Sequence, residues 1–435
     1  MSSIDKLKRL MGENIKAPAE TSAKKAQLDE LRRRIDDVME RRGRQAPAEL
    51  KQNKTAVKDN LHEYVAGEEI ENELGKFFLV SEVVQGSSRH GHRNIRDTFD
   101  FDMSAAAMLA NNPCISEFCA ADALFLDTET TGLAGGTGTM AFLIGLGWFE
   151  EGHFHVRQIL ARDFGEEKAA LAYLAEIAAP KKFLVTFNGK AFDVNLLTTR
   201  FIMNRLESTL NLLPHLDLLH PSRRILGHRL ANSRLCTLEA EVLGVEREGD
   251  IPGWEIPQRY FDWLKKRDGR LLAAIFEHNR LDVISMAALT AHLTEILDGY
   301  EMNGQADDTD YLAAARLLLN RHNQQGAARI LNRFGEGECG NLSALSKKDI
   351  SLLYKRCGRG EEAAKLWEEI LSLSPADYFA VSELAKWLEH RVHDCSRSRQ
   401  IVEAALQGEN NLSAEERESL LHRLKRLNAK VEGSH

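Results

Sequence analysis

Two carboxylates at the end of an apolar run are the first residues in this sequence whose types and spacing suit chemistry. The string "ALFLDTET" places Asp127 and Glu129 two residues apart. On a β-strand, residues i and i+2 project from the same face, about 7 Å apart along the chain, so both can converge on one cation. Mg²⁺ prefers such oxygen ligands. An isolated pair of this kind also occurs where a strand simply runs into a polar loop.

Two later segments carry further acids at suitable spacings. In "TFNGKAFDVNLL", an apolar strand delivers Asn188 at a turn, and Asp193 falls in the first turn of the next helix, where an acid also complements the helix dipole. In "FEHNRLDVISM", His278 and Asp282 are four residues apart and share one helix face. Asp282 interrupts an apolar stripe, so we expect it to face inward, where an acid needs a partner. Each motif alone has an ordinary structural interpretation.

Taken together and in this order, the three motifs resemble the DEDD superfamily of 3′–5′ exonucleases, the DnaQ-like proteins with a ribonuclease H-like fold. A longer resemblance spans roughly residues 70 to 300. It rests on "LDTETTGLAGGTGTMAFLIGLGWF", "NGKAFDVNLL", "HLDLLHPSRR", "CTLEAEVLGVERE-GDIPGWEIPQRYF" and "HNRLDVISM". These strings are similar to the YprB-type ribonuclease H-like domain, a bacterial branch whose members often carry C-terminal helical repeats.

The resemblance implies that Asp127, Glu129, Asp193 and Asp282 bind two Mg²⁺ or Mn²⁺ ions. The ions would clamp the scissile phosphate of single-stranded DNA or RNA, activate a water and stabilise the leaving 3′ oxygen. No base-specific contact is needed for this chemistry, so the resemblance predicts low sequence preference.

His278 departs from the superfamily pattern. A water-orienting Tyr usually stands four residues before the last acid and a His five, whereas here His278 has the Tyr spacing and Glu277 the His spacing. One residue turns a helix position by about 100°. We predict that His278 orients the attacking water, with Asn279 as a structural alternative.

Several neighbouring residues are candidates for holding the substrate. The glycine-rich stretch after Glu129 connects two predicted strands, with Leu133 available to wedge against a base. In "HLDLLHPSRR", Asp217 is a possible further acid and Arg223 a possible phosphate ligand, although a capped loop with solvated arginines explains them equally well. The predicted substrate-binding residues are Thr128, Thr131, Leu133, Asn188, Asp217 and Arg223. An Arg- and His-rich loop at 87–96 has the same ambiguity.

The elements that must position these residues predict a mixed α/β fold at residues 66–300. "ALFLD", "MAFLIGLGWF" and "HFHVRQIL" predict three antiparallel strands, the last two joined by a tight hairpin, and "KKFLVTF" predicts a buried strand. Helical patterns at 166–178, 191–207, 237–243 and 271–297 alternate with strands. We therefore expect a ribonuclease H-like sheet, three antiparallel strands then parallel ones, covered by helices on both faces.

The two ends of the chain differ from this centre. At residues 308–430, "GAARIL", "EAAKLW" and "RSRQIV" align at steps of about 35 residues. This spacing resembles tetratricopeptide repeats, which would bind a protein partner, with a plain helical bundle as the alternative. Residues 1–65 are basic and predict a partly helical or disordered arm, either a solvated tail or a contact with nucleic acid.

Composition limits the remaining choices. The chain has 435 residues and a formal net charge of −8, which disfavours nucleic-acid binding over the whole surface but allows a locally basic groove. Its six cysteines are scattered without CxxC pairs, which predicts reduced thiols in a cytoplasmic protein. No signal peptide or membrane span is expected. The glycine loop lacks the GK[ST] ending of a P-loop, which disfavours a nucleotide-binding enzyme.

Two functional hypotheses follow from these patterns. The first is a metal-dependent nuclease, a 3′–5′ exonuclease in the form that the resemblance implies. The second is a catalytically weak or inactive nucleic-acid-binding scaffold that recruits partners through the helical repeats. The four acids favour the first hypothesis, and the altered His spacing leaves room for the second.

Overall fold

The computed structural model describes residues 59–132, 138–300, 306–334, 344–408 and 412–432. Almost all of the predicted N-terminal arm lies outside the described residues, and so does Leu133. Lys58–His435 forms one compact unit. The boundaries predicted at 66–300 and 308–430 stay predictions.

Nine strands form the β-structure of the described residues. They are β1 (Glu68–Asn72), β2 (Gly75–Val84), β3 (Arg89–His90), β4 (Arg93–Asn94), β5 (Ala123–Thr130), β6 (Ala141–Glu150), β7 (His153–Leu160), β8 (Phe183–Thr186) and β9 (His215–Asp217). Seven of these strands make one sheet in the order β1-β2-β7-β6-β5-β8-β9, and β3 and β4 form a separate hairpin. The short hairpin replaces the open loop expected at 87–96.

The main sheet is mixed, as the sequence predicts. Strand β6 pairs antiparallel with both β5 and β7, whereas β8 pairs parallel with β5 and with β9. A two-residue turn at Glu151 and Gly152 joins β6 to β7, and both residues have positive φ, 49° and 78°. This backbone matches the twist of the flanking strands, which explains the tight hairpin. Strand β2 extends the sheet by pairing with β7.

Both faces of the central strands are buried. On β5, Phe125 belongs to one apolar cluster while Leu124 and Leu126 belong to the other, and Val185 and Leu184 divide in the same way on β8. Alternation of this kind follows from the two-residue period of a strand. A sheet that is apolar on both faces must be covered by helices on both sides.

Fourteen α-helices cover the sheet and form the C-terminal region of the described chain. They are α1 (Met103–Ala110), α2 (Glu167–Ala178), α3 (Asp193–Met203), α4 (Leu219–Ile225), α5 (Leu235–Leu238), α6 (Ile256–Lys266), α7 (Arg270–Asp298), α8 (Asp308–Asn320), α9 (Gln324–Leu331), α10 (Ala344–Arg356), α11 (Gly360–Leu373), α12 (Tyr378–Trp387), α13 (Cys395–Gln407) and α14 (Ala414–Glu432). A π-helical turn, Glu239–Leu243, continues α5. Helices α2, α3 and α6 contribute to the cluster containing Leu124, and α1 and most of α7 to the cluster containing Phe125.

The C-terminal region is helical throughout its described residues. Helices α8 and α9, α10 and α11, and α12 and α13 pack as consecutive pairs, and α7 contacts both α8 and α9. The three segments aligned in the sequence fall on α9, α11 and α13, the second helix of each pair. None of the helices within the described ranges has the length and apolar character needed to cross a membrane.

Candidate metal centre at the end of the central strand

Asp127 and Glu129 lie near the carboxyl end of β5, between β6 and β8 in the middle of the sheet. The register of β5 against β6 shifts between Glu129 and Thr130, because the extra residue Phe142 of β6 lies opposite the second acid. Bulges re-aim side chains at the ends of strands. Opposite Asp127, the paired residue on β6 is Gly145, which leaves the space above Asp127 open to another element.

Helix α7 enters that space. The Asn279 amide nitrogen donates to Asp127 Oδ2 at 2.8 Å, and a Cβ on Gly145 would lie 2.3 Å from Asn279 Oδ1. Asn279 is fully buried, and its own oxygen accepts from Gln158 Nε2 at 2.9 Å. The helix thus orients the first acid through a satisfied amide. Because α7 carries His278 and Asp282 on the adjoining surface, it brings them toward the same acids.

Asp193 is brought to the centre by a second helix. It is the first residue of α3, whose Leu197 and Phe201 pack in the cluster containing Leu124. Its Oδ1 accepts a hydrogen bond from the Thr128 hydroxyl. Thr128 is therefore a partner of an acid in this structure, while its predicted contact with substrate stays a prediction.

Arg247 is the cation of the centre. It lies beyond the π-helical turn, its side chain is 7% exposed, and it forms a two-pronged ion pair with Glu239, with both distances 2.6 Å. The same guanidinium donates to Asp282 Oδ1 and lies 3.3 Å from Asp250 Oδ2. Glu239 is fully buried, so Arg247 is fixed from behind by an acid that faces no solvent.

His278 is oriented by a carboxylate on the loop after Arg247. Its Nδ1 is 2.7 Å from Asp250 Oδ1, and its Nε2 is 3.8 Å from both Glu129 Oε1 and Asp282 Oδ2. Glu277, which has the other superfamily spacing, is 58% exposed and pairs with Arg280. Of these two residues, His278 is the one that faces the acids.

The electrostatics of the centre disfavour four ionised carboxylates. Burial raises the pKa of Asp127 and Glu129 well above their usual values, and the neighbouring acids raise both further. Burial also raises the pKa of Asp193 to about 6. Burial raises the pKa of Asp282 even though Arg247 and His278 oppose the shift. One guanidinium does not neutralise the cluster, so added positive charge would stabilise its ionised form.

The donor set of the centre fits a hard divalent cation because all four candidate ligands are carboxylates. One oxygen of each of three acids, Asp127, Asp193 and Asp282, accepts a hydrogen bond from a protein group. No three of the four acids bring ligand atoms within 4.8 Å of one another. The carboxylates must therefore rotate toward a metal to close a coordination shell. Mg²⁺ tolerates this sparse protein coordination since it usually keeps several waters.

A tighter group of ligand atoms occurs away from this centre. Among the described residues, only His228, Asp307 and Asp310 bring three ligand atoms within 4.8 Å of one another. Arg229 pairs with both oxygens of Asp310, and Asp307 caps α8. The charge and hydrogen bonds of that group are thus already accounted for by the protein.

The predicted substrate residues are distributed differently. Thr131 closes the start of the glycine-rich connection, exchanging hydrogen bonds with the backbone of Met140. Asp217 accepts from the backbone nitrogens of Asn188, Lys190 and Leu219 at 2.8 to 3.1 Å.

These bonds make Asp217 an anchor for the turn between β8 and α3. Asn188 occupies that turn with φ of 67°, a conformation that asparagine tolerates. Arg223 is exposed on α4. In the loop at 87–96, His90 is 2.7 Å from the Ser285 hydroxyl and Arg93 pairs with Glu295, so both have structural partners.

Four residues of the centre were not predicted from the sequence: Gln158, Glu239, Arg247 and Asp250. The segment "LGVEREGDIPGW" contains two of them but has no periodicity that assigns a partner to either. The usable signal was Glu239 inside a predicted apolar helix, because a buried acid demands a cation. Gly145 and Gly147, two residues apart on β6, were a second signal of close approach by another element.

The mixed sheet and the acids at the end of its central strand define an α/β protein of the ribonuclease H-like class. A family model described as the RNase_H superfamily matches residues 124–294. The chain is also 36% identical to the uncharacterized protein YprB of Bacillus subtilis (strain 168) over 313 residues, which cover 70% of this chain and 74% of that relative. The chain therefore belongs to the family that includes YprB, with a ribonuclease H-superfamily domain.

Proposed function

We propose that this protein is a DEDD-type nuclease, a 3′–5′ exonuclease that hydrolyses the phosphodiester bonds of single-stranded DNA or RNA with two Mg²⁺ or Mn²⁺ ions. The observation that carries the proposal is the convergence of α3 and α7 on the acids of β5. Asp193 comes from one helix, Asp282 and His278 from the other. Membership of a ribonuclease H superfamily supports the coarser assignment to nucleases.

Asp127, Glu129, Asp193 and Asp282 would hold the metal ions. Bound ions would supply Lewis acidity, an activated water and charge stabilisation at the scissile phosphate. The protein supplies position: Asn279 fixes Asp127, and the Thr128 hydroxyl fixes Asp193. Such preorganisation lowers the reorganisation needed when charge develops at phosphorus.

His278 would orient the attacking water and accept its proton. Nδ1 lies 2.7 Å from Asp250 Oδ1 and 3.2 Å from Arg247 Nη1, and the closer carboxylate favours the tautomer with a proton on Nδ1. This tautomer leaves the Nε2 lone pair facing Glu129 and Asp282. A general base needs a second group that holds its ring in this way. Arg223, exposed on α4, is the candidate phosphate ligand, and Thr131, Asn188 and Leu133 remain candidates near the terminal nucleotide.

Product analysis with end-labelled strands tests the proposal. We expect 5′-labelled single-stranded DNA or RNA to shorten stepwise from its 3′ end in Mn²⁺ or Mg²⁺ and to stay intact in EDTA. The Asp127→Ala, Glu129→Ala double variant should leave the strand intact under all conditions. A panel of DNA, RNA and hybrid strands identifies the substrate, and internal cuts would indicate an endonuclease. Equal behaviour of the two proteins would remove the nuclease assignment in favour of a scaffold.

We also propose that α8 to α13 are tetratricopeptide-like repeats that bind a protein partner. The support is the pairing of consecutive helices and the recurrence of the aligned segments on the second helix of each pair. Repeats of this type stack into a solenoid with an extended binding surface. Pull-down with residues 306–435 deleted, compared with the full chain, tests whether a partner depends on this region.

A further inference from the structure

Arg247 has an unusual place for a cation. Its guanidinium contacts Asp282, one of the four acids proposed to bind metal, and it lies 3.2 Å from Nδ1 of His278. With 7% of its side chain exposed, Arg247 is poorly available as a surface ligand for a passing strand. Its charge instead acts inside the acid cluster.

The hold of Glu239 on Arg247 makes this cation permanent. Both prongs of the guanidinium bond Glu239 at 2.6 Å, and the Glu239 side chain is 1% exposed. A paired, desolvated arginine of this kind does not separate from its acid readily, since separation would leave a buried carboxylate without a counter-charge. Asp250 adds a third carboxylate at 3.3 Å. Arg247 therefore stays in place whether or not other cations enter.

We propose that Arg247 is a resident counter-cation that competes with the divalent metal for Asp282. The guanidinium takes Oδ1, so Asp282 presents only Oδ2 to a metal, and the fixed positive charge repels a second cation at that end of the cluster. The inference rests on the proposed metal centre. It makes Arg247 a positioning residue, which sets how tightly the metal is held near Asp282.

Mn²⁺ binding to the purified full-length protein tests this role without nucleic acid. Removing Arg247 alone would leave Glu239 buried and unpaired, so the comparison uses two variants that share Glu239→Gln. One adds Arg247→Lys, which keeps a cation, and the other adds Arg247→Met, which keeps the stem without the charge. Free Mn²⁺ is measured by electron paramagnetic resonance, and circular dichroism and thermal unfolding verify that each variant folds.

We expect the Met variant to bind Mn²⁺ at least about tenfold more tightly than the Lys variant, because a unit charge a few ångströms from a divalent ion costs several times RT. Equal or weaker binding by the Met variant would overturn the competition. If the unsubstituted protein does not bind Mn²⁺ at all, there is no metal centre at these acids, and both the proposed function and this inference are refuted.

Discussion

Asn279 is the residue on which the geometry of Asp127 depends. It donates to Asp127 at 2.8 Å and accepts from Gln158 at 2.9 Å with no exposed surface. Asn279→Ala should lower the free energy of unfolding by about 2 kcal/mol, since hydrogen-bonding groups are left unsatisfied. It should also lower nuclease activity more than tenfold because Asp127 is no longer fixed. Chemical denaturation and the labelled-strand assay measure the two effects.

Gln158→Met is the matched control for that substitution. It removes the hydrogen bonds of Gln158 to Asn279 and to the Phe276 carbonyl but leaves the bond to Asp127 in place. We expect a comparable loss of stability with an activity loss below about threefold. Equal losses of activity in the two variants would show that packing, and not the orientation of Asp127, is what Asn279 provides.

Asp193 gives the metal-free protein a pH-dependent stability. Burial raises its pKa from 3.8 to about 6, so the folded state binds this proton more tightly than the unfolded state. The free energy of unfolding therefore falls as pH rises between these values, by about 3 kcal/mol from this residue. Asp193→Asn should remove that contribution, so its stability relative to the unsubstituted protein should rise between pH 4 and pH 7.

Urea denaturation in EDTA at several pH values measures this difference. The comparison of the two proteins at each pH cancels the titrating groups outside the acid cluster. Loss of the Asp193 charge also removes part of the upward shift in the pKa of Asp127 and Glu129, which changes the stability difference in the same direction. A stability difference that is constant from pH 4 to pH 7 would contradict the assigned shift at Asp193.

At the scale of elements, the contact of α7 with β6 depends on Gly145. A Cβ at this position would lie 2.3 Å from Asn279 Oδ1, so Gly145→Ala should push α7 away from the acids. We expect the free energy of unfolding to fall by about 1 to 3 kcal/mol, as for overpacking of a core. Activity should be lost to a similar degree as in Asn279→Ala.

Gly138→Ala provides the control, because a Cβ there meets nothing within 4 Å. This glycine belongs to the glycine-rich connection between β5 and β6, and its replacement should change stability by less than about 0.5 kcal/mol. If Gly145→Ala were as well tolerated as Gly138→Ala, the close approach of the helix would not matter for the site.

The strands and helices differ in how well the sequence pattern predicts them. Apolar runs and a tight hairpin were enough to predict β5, β6 and β7, and the spacing of His278 and Asp282 placed both on one helix face. Strand β9 has only three residues, too few to produce a period. Sequence spacing predicted His278 as the water-orienting residue, with Asn279 as a structural alternative, because adjacent residues differ by about 100° around a helix. In the structure Asn279 donates to Asp127 and His278 faces Glu129, while the water-orienting role of His278 stays a prediction.

The partners of Arg247 show a second limit of sequence reasoning. Asp282 is 35 residues further along the chain, and Glu239 belongs to a different element. An ion pair of this kind depends on the tertiary course of the loop after α5, which has no repeating pattern. The sequence predicted that Asp282 is a buried acid that needs a partner, but it did not identify Arg247 as that partner.

At the scale of the whole molecule, the helical region and the sheet share an apolar core. Tyr311 and Leu318 of α8 belong to the same cluster as Phe125 of β5 and Ile284 of α7. A chain that ends at residue 300 would expose this surface, so we expect it to aggregate or to melt at least about 10 °C lower. Thermal unfolding and size-exclusion chromatography measure both outcomes.

A chain that ends at residue 408 is the matching control. Leu420 and Leu427 of α14 belong to a separate, smaller cluster, so loss of α14 should leave the nuclease activity intact. Full stability and activity of the chain ending at 300 would contradict a shared core and indicate that the two regions are independent.

Four carboxylates meet at the end of β5, where we propose that they bind metal for phosphodiester hydrolysis. The most direct measurement is the single-turnover rate in saturating Mn²⁺ for four separate variants: Asp127→Asn, Glu129→Gln, Asp193→Asn and Asp282→Asn. These substitutions keep the shape of each side chain and remove its charge. We predict that each lowers the rate at least about 100-fold, with no further additive loss when two are combined, since the acids act as one unit. Rates that stay within threefold of the unsubstituted protein in any of the four would contradict metal binding by these four acids.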